Sequence, residues 1–311
     1  MNGNILGIEI GGSKLQIVRG TYSGSISERF RFPVNHALGA QAIRDQIKQT
    51  IHAVRQNHRL TAVGVGFGGP VDWRSGKICC SHHVAGWSGY DLASWIHAIT
   101  ECPVAVDNDA NVAALAESRL GAGRNFNPLF YVTLGSGVGG GLVVDGKIYH
   151  GAPPGESEIG HVRLDRTGST VESECAGWAV DRKIRAVIKE NPTCELARLV
   201  GDNKGGEAKY LKPALEQNDP IALDILRTEA ENLAFGLSHV VHLFHPEAIV
   251  IGGGLSLLGE PLRVAIAEAL PKFIMEAFKP GPRILLAQLG EDAVPTGALL
   301  LASECLAANK P

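Results

Sequence analysis

The chain has 311 residues, is 45% hydrophobic and 20% charged, and carries a formal net charge of −3, a composition typical of soluble globular proteins. That near-neutral balance gives no electrostatic case for a nucleic-acid or membrane partner. No apolar run approaches the roughly 20 residues that span a bilayer, and the length favours two lobes over one core.

The first residues, MNGNILGIEI, enter a strand directly and lack the basic-then-apolar order of a signal peptide. Six cysteines (Cys79, Cys80, Cys102, Cys175, Cys194, Cys305) show no framework spacing, so reduced thiols in a cytoplasm are expected. The 38 glycines are clustered, which points to special backbone sites rather than disorder.

Asn4 to Ile10 reads as an apolar strand, broken by Gly11-Gly12-Ser13-Lys14 and resumed from Leu15 to Val18, a hairpin with a Gly-rich turn. Such a turn is either a plain tight turn or an anion-binding nest of backbone N–H groups, helped by Ser13 and Lys14. It is not a Walker loop, because that spacing is missing and a strand follows. Ala40 to His58 has helical spacing at Ile43, Ile47, Ile51 and Val54. Ala62 to Phe67 is a strand running into Gly68-Gly69-Pro70, which serves a turn or the close approach of a ligand. Trp73 to Ile78 forms a turn between short extended pieces, and Leu92 to Thr100 a helix.

Val104 to Val106 is the tail of a buried strand. Asp107, Asn108 and Asp109 follow, then a helix-period run of Ala110, Val112, Ala113, Leu115 and Ala116. A strand that ends in acids and an amide and feeds a helix N-terminus is where open α/β sheets place ligands and chemistry. Asp109 is the candidate catalytic base. The competing reading is that Asp107 or Asp109 caps the helix, the commoner use of Asp at such a place.

After Gly123 the pattern restarts: strand Leu129 to Leu134, turn Gly135 to Gly141, strand Leu142 to Val144. This repeats residues 4–18 and predicts two similar lobes, each offering a phosphate-binding hairpin. Gly151 to Thr170 is Gly/Pro-rich and holds Glu158-Ile159-Gly160-His161. This Glu and His could be metal ligands, substrate hydrogen-bonding groups or an acid–base pair, although a lone His is more often structural. Helices follow at Ala179 to Glu190, Glu207 to Gln217 and, starting on Pro220 after Asp219, as far as Leu243. Glu247 to Ile251 is a strand entering Gly252-Gly253-Gly254, a third Gly-rich strand end, suited to an adenine or ribose close to the backbone. Leu262 to Phe278 is helical, Ile284 to Ala287 a strand and Pro295 to Ala307 the last helix.

Taken in this order, the segments resemble the ROK sugar kinases of the actin-like ATPase superfamily over almost the whole chain. GIEIGGSK looks like that family's first phosphate motif, GFGGPVD its sugar-side loop and VDNDANVAALAE its catalytic segment. VTLGSGVGGG is similar to the second phosphate motif, EIGH to the sugar-binding segment and VIGGGLS to the adenosine motif.

The resemblance implies an α/β, two-lobed actin-like ATPase (ribonuclease H-like) fold with the active site in the inter-lobe cleft. The lobes would be residues 1–118 plus 293–311 and residues 119–292, with the last helix crossing back to the first. It also implies ATP-dependent phosphorylation of a hexose, glucose at its 6-hydroxyl being the first choice, with ATP and Mg²⁺ as cofactors. Asp109 becomes the general base. Asn108, Glu158, His161 and Glu172 (in TVESECAG) hold the sugar with backbone help from Gly69, and His83 stands where a sugar-contacting Asn is common. Gly11, Gly12, Ser13, Lys14, Gly135, Ser136 and Gly137 embrace the phosphates, and Gly253 and Gly254 pack on adenosine. A homodimer is usual in the family.

The chain departs from the family in four places. The cysteines of its zinc motif are missing, with Arg163, Asp165 and Thr170 about where they would stand, so no structural zinc is expected. Glu9 replaces the usual Asp near Mg²⁺, directly or through water; Ser157 replaces a Gly; and His83 replaces the Asn. The alternatives are another acceptor (N-acetylmannosamine, N-acetylglucosamine or fructose), polyphosphate as donor, a degenerate sugar binder, or a sugar-sensing regulator. The family's repressors carry an N-terminal helix-turn-helix, for which a first strand at residue 4 leaves no room.

Overall fold

The computed structural model describes residues 4–81, 84–155 and 157–308. The chain forms two compact units, one of residues 1–124, 141–157 and 289–311, the other of residues 125–140 and 158–288.

In the first unit, β1 (Ile5–Ile10) and β2 (Lys14–Gly20) make the expected antiparallel hairpin, with Ile10 opposite Leu15 at the turn. β3 (Ile26–Pro33) extends it antiparallel. The sequence pattern did not reveal β3, because none of its residues is fully buried and an edge strand needs no apolar run. α1 (Gly39–Asn57) buries the stripe Ile43, Ile47, Ile51 and Val54. β4 (Ala62–Phe67) is buried throughout and runs parallel to β1. A small hairpin of β5 (Val71–Asp72) and β6 (Lys77–Ile78) follows. α2 (Leu92–Thr100) starts on Asp91, whose side chain accepts from Ser94 N–H at 3.1 Å. β7 (Val104–Asn108) lies parallel to β4, and α3 (Asp109–Leu120) leaves its end. The sheet order is β3-β2-β1-β4-β7. Its core gathers Leu6, Ile8, Ile47, Ile51, Val65 and Trp87.

The pattern repeats with β8 (Leu129–Leu134), β9 (Val138–Val144), within which the division between the units falls, and the short β10 (Lys147–Ile148). β9 starts four residues earlier than expected. Gly139 to Gly141 are strand rather than turn, since the ladder overrides the poor intrinsic preference of Gly for strands. α4 (Val171–Cys175) opens on a capping box between Thr170 and Ser173. Then come α5 (Gly177–Glu190), α6 (Glu195–Val200), α7 (Leu211–Glu216) and α8 (Pro220–Phe244). Asp219 caps α8, accepting from Ile221 N–H at 2.7 Å, with Pro220 in the first turn. β11 (Ala248–Gly252), α9 (Glu260–Ala269) and β12 (Arg283–Leu286) complete the second unit. The helix expected to reach Phe278 stops at Ala269, two residues before Pro271, which removes a backbone donor and restricts the residue before it.

The second sheet runs β10-β9-β8-β11-β12. Numbered within itself, each sheet therefore reads 3-2-1-4-5. α10 (Ala293–Ala308) returns to the first unit, where Leu299 and Ala302 pack with Ile5, Val18 and Ala62. Among the described residues, no helix is long and apolar enough to cross a membrane.

Candidate functional site

At the end of β7 the helix cap is taken by a residue that neither reading of the two acids named. Asn108 is the N-cap of α3: its Oδ1 accepts from Ala110 N–H at 2.8 Å and Asn111 N–H at 3.4 Å. Neither Asp107 nor Asp109 caps the helix. The Asn108 amide also donates to Gly69 O at 3.2 Å, which leaves one amide hydrogen of this expected sugar ligand and occupies the Gly69 carbonyl. Asp109 is the first residue of α3 and only partly buried. Its Oδ2 lies 3.3 Å from where a Cβ on Gly68 would be, and Gly68 N–H donates to Ile10 O at 2.8 Å. Asp109 thus sits where the ends of β1, β4 and β7 meet, at a helix N-terminus that favours its charge. His83 lies outside the described residues.

The β1–β2 turn, the first expected phosphate site, is closed by Gly11 N–H donating to Lys14 O at 3.0 Å. Glu9 is buried, with Oε1 3.2 Å from Lys14 Nζ and Oε2 accepting from Gln16 Nε2 at 2.6 Å. Burial raises the Glu9 carboxyl above its ordinary range, opposed by Lys14 and Gln16. With both oxygens engaged, this side chain suits a magnesium ion reached through water rather than bound directly.

In the second unit the corresponding turn meets one of the expected sugar ligands. Glu172 accepts from Val138 N–H at 2.9 Å, just past Gly135 to Gly137. Gly160 packs so tightly on β9 that a Cβ there would lie 2.2 Å from Val138 O, so only Gly fits at position 160. Those two side chains are exposed, 40% and 71%, with His161 Nε2 3.9 Å from Glu158 Oε2. The N–H of Gly177, which opens α5, donates to Gly135 O at 2.8 Å. The positive end of a 14-residue helix therefore abuts the turn, a favourable place for phosphate.

Between His161 and Glu172 the chain is held by one carboxylate. Asp165 Oδ1 accepts from Thr167 N–H at 2.6 Å, Thr167 Oγ1 at 2.8 Å, Gly168 N–H at 2.8 Å and Ser169 N–H at 3.2 Å. Bonds from Ser169 and Thr167 lead in holding its carboxyl far below the usual range. Leu164 N–H to Ser169 O and Val171 N–H to Val162 O close the turn on either side. Zinc does not fit these donors. No three His, Cys, Asp or Glu cluster among the described residues, and Cys175 is buried with its thiol pushed well up by burial. Asp165→Ala should raise the sugar KM about tenfold, Asp165→Asn should retain the turn and the affinity, and pretreatment with a zinc chelator that is removed before assay in Mg²⁺ should change neither, all read by steady-state kinetics.

The same unit contains a cavity of about 670 Å³ that starts at Gly135 and Ser136 and extends to Gly254. Trp178, Leu255, Leu257 and Leu258 form its apolar walls, and Asp181 and Lys212 its polar margin. The sequence reading found its glycine ends and missed Trp178, Asp181 and Lys212. Trp178, exposed right after Ala176-Gly177, was the available signal.

The sequence model of the ROK family matches residues 5–305. A glucokinase of Streptomyces coelicolor is 30% identical over 314 residues, covering 97% of this chain and 98% of that protein. A kanosamine kinase of Amycolatopsis mediterranei is 30% identical over 315 residues, covering 98% of each. Among solved structures, the ROK family glucokinase of Streptomyces griseus in complex with glucose and AMPPNP aligns with a TM-score of 0.83 at 31% identity, over 97% of this chain and 100% of that one. The chain belongs to the ROK family and has the two-lobed actin-like ATPase fold of that family's sugar kinases.

Proposed function

We propose that the protein transfers the γ-phosphoryl group of ATP to a hexose hydroxyl, the 6-hydroxyl of glucose being the first choice, with Asp109 as general base. The observation that carries this reading is the placement at the β7–α3 junction: Asn108 takes the cap, and Asp109 sets its carboxylate where the ends of three strands meet. The glucokinase relatives and the AMPPNP-bound neighbour support it. Asp109 would take the proton of the attacking hydroxyl; Asn108, Glu158, His161 and Glu172 would hold the sugar; and the turns at Gly11 to Lys14 and Gly135 to Gly137 would hold the phosphates. Phosphoryl transfer asks mainly for positioning and charge stabilisation. Mg²⁺ would supply charge neutralisation on the phosphates, with Glu9 engaging it through water.

ATP is favoured over polyphosphate by the apolar wall of the cavity, which suits a purine. ATP should quench Trp178 emission, and Trp178→Ala should raise the ATP KM about tenfold (~1.4 kcal/mol) with the sugar KM unchanged. An unchanged ATP KM would remove the indole from the donor site. The acceptor is tested by ADP release with ATP and Mg²⁺ across glucose, mannose, fructose, allose, N-acetylglucosamine and N-acetylmannosamine, against a no-sugar control. Glucose should stand above the rest. A different leading sugar replaces glucose in this reading, and silence across the panel with sugar still bound leaves a non-catalytic binder.

A further inference from the structure

The loop that leaves β10 carries His150 at its second position, and the His150 Nε2 lies 2.5 Å from Asp107 Oδ2. Asp107 is 3% exposed, and its other oxygen accepts from Asn108 N–H at 2.8 Å and Asn111 Nδ2 at 3.0 Å. A carboxylate only accepts, so the proton in the His150 contact is assigned to Nε2. The imidazole face stacks on Trp73, with centroids 4.2 Å apart and planes 15° off parallel. The loop then folds back on the same residue: a Cβ on Gly155 would lie 1.6 Å from His150 O.

The two groups that Asp107 Oδ1 holds flank Asp109 in the chain, one being the backbone N–H just before it and the other the side chain two residues after it. His150 therefore fixes one oxygen of a buried carboxylate whose other oxygen sets the first turn of α3. We infer that His150 is a positioning residue for Asp109, acting through Asp107, with Trp73 holding the ring at the angle the hydrogen bond needs. This rests on the reading of Asp109 as the base. Because a misplacement of about 1 Å costs a base roughly 10²-fold, the contact is expected to act on the rate rather than on sugar or nucleotide binding. The same loop leads along the chain to Glu158 and His161, so its near end is anchored beside the turn that bears the base.

The test compares His150→Phe, which keeps the stack on Trp73 and loses the donor, with His150→Gln, whose Nε2 reaches a similar point. His150→Phe should lower kcat about 10- to 100-fold with both KM values within about threefold of wild type, and His150→Gln should recover most of the rate. His150→Ala, which admits water to Asp107, replaces the Phe variant if that chain does not fold, with the same loss expected. A wild-type kcat in the Phe or Ala variant overturns the inference. So does an equal loss in the Gln variant, which would make ring shape rather than the N–H the relevant feature. Asp109→Asn is assayed beside them: normal turnover there removes the base assignment itself, whereas an inactive Asp109→Asn with a normal His150→Phe removes only the role of His150.

Discussion

Asp109→Asn is expected to lower kcat by about 10²- to 10⁴-fold, the usual worth of a positioned general base, while the sugar and ATP affinities stay near wild type. The amide keeps the size and most of the hydrogen-bonding geometry of the carboxylate but cannot take the hydroxyl proton. Losing the charge at the first residue of α3 should cost only about 0.3–1 kcal/mol of stability, because the cap belongs to Asn108 and is untouched. Thermal melting with and without sugar, run beside the ADP-release assay, separates the two effects. Normal turnover in this variant would leave Asp109 a merely electrostatic partner of the helix and remove the mechanism proposed here.

Much of this fold was legible because it is written twice. A strand, a Gly/Ser turn and a returning strand occur at residues 4–18 and again from Leu129, and both sheets close with the same 3-2-1-4-5 order. Long apolar-periodic segments such as α1 and the buried strands β4 and β8 carry their own signal in periodicity and burial. The elements that went unread have no such signal. β3 is an edge strand, α4 has five residues and β10 two. α9 was drawn too long because the apolar period continues past Pro271 although the backbone cannot.

The candidate site was legible in its glycines and acids but not in its partnerships. Asn108 was read as a sugar ligand, and its duties as helix cap and as tether of Gly69 depend on β4 and β7 lying side by side. Asp107 looked like a spare capping residue. Its bond to His150 joins residues 43 apart, which no local pattern encodes. Trp178 had no reading in the sequence pattern, and only the cavity brings it together with Gly254.

Gly160→Ala is expected to lower kcat/KM for the sugar at least about 100-fold. The added methyl would lie 2.2 Å from Val138 O and 3.2 Å from its carbonyl carbon, and both are backbone, with no flexible tip to swing away. Either the Glu158 to His161 segment lifts off β9 or the start of β9 shifts. The second course moves the Val138 N–H that Glu172 uses and with it the adjoining phosphate turn. In either case the carboxylates proposed to hold the sugar and the turn proposed to hold the phosphates lose their mutual register, and a displacement of about 1 Å is enough for the expected loss. Overpacking of this kind costs about 1–3 kcal/mol of stability, so the variant should fold at 25 °C with a lowered Tm, and calorimetric titration should show weakened sugar binding. Near-normal kcat/KM in a folded Gly160→Ala protein would separate the Glu158 to His161 segment from the reaction and leave His161 as an exposed surface side chain. The assignment of Glu172 would survive that result, because its bond to Val138 N–H does not pass through Gly160.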